Sequence, residues 1–372
     1  MIRRVEYKLL VGLQGCVTFA YIYRCFNALR SFKIDNKGTE NDARLAALTD
    51  WVRGLEGLEK ADPHPASGDA SFRRYFRVHS DTASYIVMDA PPEQEDCRPF
   101  IQVAGYFESM QLHAPRVLEA NIDNGFLLLT DLGSTQYLEL LDEDAAAAEL
   151  LYESAMRALL IIQNRGEAFQ SHLPPYDADR LGFEMSLFHD WLCQQHLGIR
   201  FDAGDEREWQ ALCDRLVANA VEQPQVFVHR DYHSRNLMVT DDGPGILDFQ
   251  DAMEGPLTYD LVSLLKDCYV KMPSEQICEL VAGFAHDARQ LGVHDLGDEH
   301  YLRSFDLTGV QRHLKAAGIF ARLNHRDGKS GYLADVPRTL SYIVDLAPRY
   351  GELGWLADFI NARVLPGLES TG

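Results

Sequence analysis

One stretch limits what this chain can fold into more than any other: Val226 to Asp251, VFVHRDYHSRNLMVTDDGPGILDFQD. A short apolar run, Val226-Phe227-Val228, leads into His229-x-Asp231-x4-Asn236, and a second apolar run delivers Asp248 just before Phe249. Between them, Leu237 to Thr240 and Ile246-Leu247 read as two strands joined by the turn formers Asp241-Asp242-Gly243-Pro244-Gly245. With Thr240 facing Ile246 across that loop, Asn236 and Asp248 fall within about two residues of register, where diagonal side chains lie roughly 7–8 Å apart. One hard cation taking oxygen ligands at about 2.1 Å bridges such a pair. Asp231, on the turn just upstream, is close enough to act on a hydroxyl while that metal holds phosphates beside it. These are the requirements of phosphoryl transfer, in which a protein mainly positions groups and neutralises charge. A surface turn of ordinary polar residues is the competing explanation, and the hairpin with its apolar-Asp-Phe step weighs against it.

The remaining composition bounds the partners. At 372 residues the chain can hold two lobes with separate cores, and 46% apolar with 24% charged residues is ordinary for a folded protein. A formal net charge of -21 argues against a nucleic-acid surface, which needs clustered Lys and Arg. An acidic protein that handles ATP must rely on magnesium and a few well-placed arginines. The 7 cysteines are odd in number and show no Cys-x2-Cys pair, so they read as reduced thiols of a cytoplasmic protein, expected to be a monomer. Leu9 to Tyr23 is almost uncharged and bracketed by Lys8 and Arg24, yet shorter than the roughly 20 residues of a membrane span. Residues 1–40 are therefore expected to be an extension, packed or loosely attached, in preference to a membrane-contacting segment.

From Asn41 the pattern is regular. Leu45, Leu48, Val52 and Leu55 make an amphipathic helix, which Pro63-His64-Pro65 breaks. The small residues Ser67, Gly68, Asp69, Ala70 and Ser71 separate two strand-like runs, the arrangement of a flap whose backbone N–H groups approach anionic oxygens. Strands are expected at Phe72 to His79, Tyr85 to Met88 and Leu127 to Leu129, the last ending at Thr130-Asp131-Leu132-Gly133. Helices are expected over Asp144–Asn164, Leu181–Leu197, Asp205–Glu222, Tyr259–Val270, Ser274–Leu291, Tyr301–Leu323, Pro337–Leu346 and Leu353–Val364. The fold class is α+β: a small strand-rich lobe over 41–131 and a large helical lobe over 132–372.

The stretch Val228-His-Arg-Asp-Tyr-His-Ser-Arg-Asn236, with Leu247-Asp-Phe249 and Gly255-Pro-Leu-Thr-Tyr-Asp-Leu261, resembles the aminoglycoside phosphotransferase and choline kinase superfamily, which has the bilobal protein-kinase-like fold. Within it, Gly68 to Arg77, Val87 to Pro92, Leu128 to Gly133 and Gln311 to Arg322 resemble the bacterial N-acetylmuramate/N-acetylglucosamine kinase family. That resemblance implies ATP- and Mg2+-dependent phosphorylation of the anomeric hydroxyl of these amino sugars during cell-wall recycling. It makes Asp231 the catalytic base or aligner and Asn236 and Asp248 the magnesium ligands. Leu129 to Leu132 become the hinge that receives adenine, with Thr130 and Leu132 contacting the nucleotide under the flap Ser67 to Ser71. Asp260 and His229 are implied as braces of the catalytic loop. An aminoglycoside or other small-molecule phosphotransferase is the alternative, since an acidic chain suits a cationic substrate; a nucleotide-binding protein without activity is a third.

One departure stands out. Kinases of this fold place a Lys on the third strand to hold phosphates, but here that strand reads Tyr85-Ile-Val-Met-Asp89, and no lysine occurs between Ala61 and Leu265. Arg73, Arg74 and Arg77 are the candidate replacements, with Arg74 chosen among them. On the substrate side, Arg312, Lys315 and Arg322 share one helix face, which suits the lactyl carboxylate of muramate or, more plainly, a solvated surface.

Overall fold

The structure, a computed structural model, describes residues 43–68, 72–141 and 145–371. The apolar segment Leu9 to Tyr23 and the flap residues Asp69, Ala70 and Ser71 lie outside the described residues. Two compact units divide the chain, Met1–Trp51 and Val52–Gly372. Helix α1 (Ala43–Arg53) ends just inside the second unit, and both lobes described below belong to that unit.

The small lobe is a five-stranded antiparallel sheet in the order β1-β2-β3-β5-β4. Its strands are β1 (His64–Gly68), β2 (Arg74–His79), β3 (Ser84–Asp89), β4 (Val117–Asn121) and β5 (Phe126–Thr130). Helix α1 ends at Arg53, ahead of the expected break at Pro63-His64-Pro65, and His64 and Pro65 of that segment open β1, where an edge position and a register shift between Pro65 and Ser67 accommodate the proline. Ser80 makes the β2–β3 turn by accepting hydrogen bonds from the Thr82 and Ala83 N–H groups. At the β4–β5 turn Gly125 has φ +69 and lies so close to the Ala90 carbonyl that a Cβ would be 1.8 Å from it. Helix α2 (Arg98–Ser109) crosses the lobe with Pro in its first turn, and Phe100, Val103, Ala104 and Phe107 form its buried face.

The large lobe is mainly helical: α3 (Tyr137–Leu141), α4 (Ala145–Gln170), α5 (Ala178–Leu187), α6 (Ala203–Val221), α7 (Tyr259–Leu265), α8 (Ser274–Gln290), α9 (Asp298–Asp327), α10 (Val336–Leu346), α11 (Gly354–Phe359) and α12 (Leu365–Thr371). The expected helix over Leu181–Leu197 is α5 followed by a π-helical segment, Phe188–His196. At that junction Gly318 of α9 comes against the backbone: a Cβ there would lie 2.2 Å from the Leu187 carbonyl carbon. The close crossing faces α9 toward α5, which decides where Lys315, one turn before Gly318, can point. Capping residues start α5 and α6: Asp177 accepts from the Arg180 N–H, and Asp202 completes a capping box with Asp205.

Two short ribbons flank the loop His229 to Asn236. Strand β6 (Gln225–Val228) pairs with β9 (Met253–Pro256), and β7 (Leu237–Thr240) pairs with β8 (Gly243–Ile246). The hairpin differs from expectation. Thr240 pairs with Gly243, not Ile246, so the loop is Asp241-Asp242 alone and Gly243-Pro244-Gly245 belongs to the strand. Gly243 at φ +108 makes the tight return, and Thr240 Oγ1 donates to its carbonyl at 2.6 Å. The shorter loop brings Asn236 nearer to register with Asp248 than expected: the Leu247 N–H donates to the Asn236 carbonyl at 2.9 Å.

Candidate active site

The loop His229 to Asn236 is fixed from below by buried acceptors. Asp260, the second residue of α7, takes the N–H of His229 at 2.6 Å and of Arg230 at 2.9 Å, one on each carboxylate oxygen. These bonds hold Arg230 at φ +79, a backbone conformation that costs a side-chain-bearing residue about 1 kcal/mol or more. Burial pushes the Asp260 carboxyl up to about 7 against the pull of those two N–H donors. His229 is fully buried, stacks near Phe107 and accepts the Asp231 N–H on Nδ1 at 3.2 Å. Its burial lowers the imidazole to about 4, so the ring is a neutral structural acceptor. Asp267 accepts from both the backbone N–H and the hydroxyl of Ser234, and Tyr232 Oη donates to the Ala155 carbonyl of α4.

Asn236 donates its side-chain amide to the Asp231 carbonyl at 3.0 Å, which leaves its amide oxygen for a cation. Asp248 sits at φ +61 on the step before Phe249, whose ring packs against Phe100 and Phe107 of α2. Asn236 and Asp248 line one cleft of ≈ 270 Å³ with the hinge residues Thr130, Asp131 and Leu132. An amide oxygen and a carboxylate in one cleft are a donor set for a hard cation that keeps water and phosphate oxygens as its other ligands, so the residues fit magnesium. The hinge is braced by Arg77, which forks onto Asp131 at 2.6 and 3.0 Å and reaches the Gly133 carbonyl at 2.8 Å.

The three candidate arginines go to three different carboxylates. Arg74 turns to the buried Asp89 of β3, Arg77 to Asp131, and Arg73, itself 8% exposed, donates to Asp248 Oδ1 at 3.1 Å. Arg73, not Arg74, thus meets the carboxylate that lines the cleft. Ser67 and Gly68 lie on β1, while the cleft takes Ala66 from that strand.

Beyond the loop lies a second cavity, ≈ 110 Å³, lined by Asp231, His233, Tyr259, Tyr269, Arg312 and Lys315 among others. Arg312 and Lys315 are 6% and 7% exposed, so this face of α9 is not a solvated stripe. Lys315 donates to Tyr259 Oη at 2.9 Å and lies 3.4 Å from Glu184 of α5. Glu184 also receives Arg230 Nη2 at 2.6 Å and the Tyr176 hydroxyl. Burial would raise the Asp231 carboxyl, but Lys315, Arg230, His233 and Arg312 outweigh it and hold it down at about 2. Arg312 has a softer partner, Cys268 Sγ at 3.7 Å. Arg322 does not line the cavity, and its Nε lacks a hydrogen-bond partner among the described residues. Asn324 to Asp327 form the last turn of α9 and also lie outside the cavity lining.

Glu184 was not singled out from the sequence, nor were Asp267 and Tyr269. A signal did exist for Glu184: it stands with Leu181, Met185 and Phe188 on the apolar face of its helix, where a lone carboxylate needs a cation.

The family model described as "Phosphotransferase enzyme family" matches residues 62–300. The chain is 44% identical over 331 residues to the N-acetylmuramate/N-acetylglucosamine kinase of Pseudomonas aeruginosa, covering 86% of this chain and 97% of that one. It is 41% identical over 332 residues to the Pseudomonas putida protein of the same name, with the same coverage of 86% and 97%. Among solved structures, a Plasmodium vivax ethanolamine kinase superposes with a TM-score of 0.57 at 12% identity, over 82% of this chain and 90% of that one. The ADP-bound aminoglycoside phosphotransferase APH(2'')-Ib gives 0.52 at 15%, over 81% and 98%. The likeness at these identities is one of fold: the protein-kinase-like arrangement of sheet and helical lobe.

Proposed function

The chain belongs to the phosphotransferase enzyme family and, within it, to the N-acetylmuramate/N-acetylglucosamine kinases; from that premise we propose that it transfers the terminal phosphoryl group of ATP to the anomeric hydroxyl of these two amino sugars, in cell-wall recycling. The observation that carries the proposal is the meeting of two spaces at one loop. The hinge cleft suits a nucleotide and contains Asn236 and Asp248; the cavity behind it suits a small polar substrate and contains Asp231. We assign residues 41–131 to nucleotide binding and 132–372 to sugar binding and chemistry.

In this mechanism the backbone at Thr130 to Leu132 receives adenine, and Ala66 of β1 lines the same cleft. Asn236 and Asp248 would hold magnesium, which would supply neutralisation of phosphate charge. Asp231 faces the sugar hydroxyl. A carboxylate held at about 2 is a weak base, so its main task is to orient the hydroxyl for in-line attack and to take the proton once the oxygen–phosphorus bond has largely formed. Lys315 and Arg312 complete the sugar side, where a muramate carboxylate needs a cation and the neutral glucosamine derivative does not.

The test is an ATP turnover screen over amino sugars and aminoglycosides, with phosphorus NMR on the product. A phosphate on C1 of both N-acetylated sugars is expected. A C6 phosphate refutes the regiochemistry, and turnover of aminoglycosides alone refutes the substrate class.

A further inference from the structure

We infer that Arg235 supplies the phosphate-binding charge that the third strand lacks, gripping the transferred phosphoryl group where the cleft meets the cavity; the inference rests on the kinase activity proposed above. The usual lysine is missing: the residue of β3 that lines the cleft is Ile86, and no lysine lies between Lys60 and Lys266. The three candidate arginines are each set against a carboxylate, Arg73 on Asp248, Arg74 on Asp89 and Arg77 on Asp131. A guanidinium already neutralised by a carboxylate at hydrogen-bond distance offers a phosphate less than an uncompensated one.

Arg235 is placed differently. It lines the cleft beside Asn236 and Asp248, and among the described residues no carboxylate pairs with it. Its guanidinium carbon lies 3.8 Å from the Tyr269 ring centroid and 5.5 Å from that of Tyr332. A guanidinium held against a ring in this way is steadied without using its N–H groups on a carboxylate, and its planar fork suits bidentate phosphate contact. Tyr269 meets the His233 ring edge-on at 5.5 Å and lines the cavity that contains Asp231. Arg235 therefore stands between the two spaces, one residue from a proposed magnesium ligand and four from the residue that faces the hydroxyl.

Both supports of Arg235 share one anchor. Asp267 accepts the Tyr269 N–H at 2.9 Å on one oxygen and the Ser234 N–H at 3.0 Å on the other, so the aromatic platform and the residue before Arg235 are tied to the same buried carboxylate. That rigidity suits a group whose task is to stabilise charge as it develops, because little reorganisation is needed at the moment of transfer. Arg235 is then a catalytic residue, and Tyr269 a positioning residue that acts through it.

The experiment uses the full chain and compares the wild type with R235Q, R235K, Y269L and R73Q. Calorimetric affinities for ATP and ADP are measured with and without Mg2+, alongside kcat, both KM values and melting temperature. R235Q is expected to lower the ATP-to-ADP affinity ratio about tenfold and kcat by about 10²–10⁴, overlapping the lower part of the 10³–10⁵ range of an arginine finger. R235K, which keeps charge but loses the stacked plane, should fall between the two. Y269L should reduce kcat more than it raises the sugar KM. An unchanged ATP-to-ADP ratio in R235Q overturns the inference, as does a loss of that ratio in R73Q without one in R235Q. Wild-type protein that binds ATP but phosphorylates no amino sugar defeats the proposed function instead, while the binding ratio still decides the role of Arg235.

Discussion

Asp260→Asn probes the support of the catalytic loop with almost no change of volume. In the wild type each carboxylate oxygen takes one N–H, from His229 at 2.6 Å and from Arg230 at 2.9 Å. An Asn side chain can accept only one of them and turns an NH2 group toward the other. One buried backbone donor is left unsatisfied, at a cost of about 1–3 kcal/mol. Above about pH 7, where the Asp260 carboxyl is ionised, the surviving bond also loses its charge assistance, about 1 kcal/mol more. The left-handed backbone of Arg230 then has one anchor fewer, and relaxation of its strain would shift Asp231 directly. Destabilisation of about 2–4 kcal/mol is therefore expected from urea unfolding, along with a fall in kcat of about 10²-fold, the scale of an ångström-sized misplacement of a catalytic group. Affinity for ATP should change far less, because the hinge does not touch α7's carboxylate. Stability within about 0.5 kcal/mol of the wild type, the range of an ordinary surface substitution, together with unchanged kcat would refute the bracing argument.

Three further substitutions separate the parts of the site. Gly318→Ala puts a methyl group 2.2 Å from the Leu187 carbonyl carbon, so α9 and α5 must separate; a loss of about 1–3 kcal/mol and a lower melting temperature are expected, and no change would mean that the crossing is looser than described. Lys315→Met removes the foremost of the cations that hold Asp231 at about 2, so the acid limb of the kcat/KM profile should move to higher pH, whereas an unmoved limb would show that Arg230 and Arg312 suffice. As the Asp231 carboxyl is depressed in the folded state, its contribution to stability is present above the usual carboxylate range and is lost as pH falls toward 2; urea midpoints of this variant should therefore depend less on pH in that window. Arg312→Gln should cut the preference for N-acetylmuramate over N-acetylglucosamine about tenfold or more in kcat/KM, by loss of a charge-assisted contact. An unchanged ratio would remove Arg312 from carboxylate recognition.

How much of this could be read from the residues follows from how local each interaction is. The loop His229 to Asn236 and the Asp248-Phe249 step were legible from their own residue types and spacing, although the groups that brace them, Asp260, Asp267 and Phe107 among them, lie far along the chain. The hairpin's register was misjudged because Gly243-Pro244-Gly245 has the composition of a loop, yet it pairs as a strand against β7. Helix α2 was passed over although Pro99 and the spacing of Phe100, Val103, Ala104 and Phe107 are ordinary helix signals. Glu184 could not be matched to Arg230 and Lys315 because they come from three separate segments that meet only through the close crossing at Gly318. The same holds for the arginines: composition shows that a lysine is missing, but only the fold shows that Arg73, Arg74 and Arg77 each have an acidic partner while Arg235 lies stacked on Tyr269. The charged face of α9 read as solvent-exposed, and its burial depends on α5 and on Tyr259, neither of which periodicity can place.

The central claim is that Asp231 acts on the sugar hydroxyl while the nucleotide is bound elsewhere, and single-turnover kinetics of Asp231→Asn test it most directly. With ATP bound and N-acetylmuramate saturating, phosphoryl transfer should slow by about 10²–10⁴, the range for loss of a positioned acid–base group, while the Kd for ATP stays near that of the wild type. Transfer at an undiminished rate would contradict the assignment of Asp231, and an equal loss of ATP affinity would contradict the separation of the two spaces.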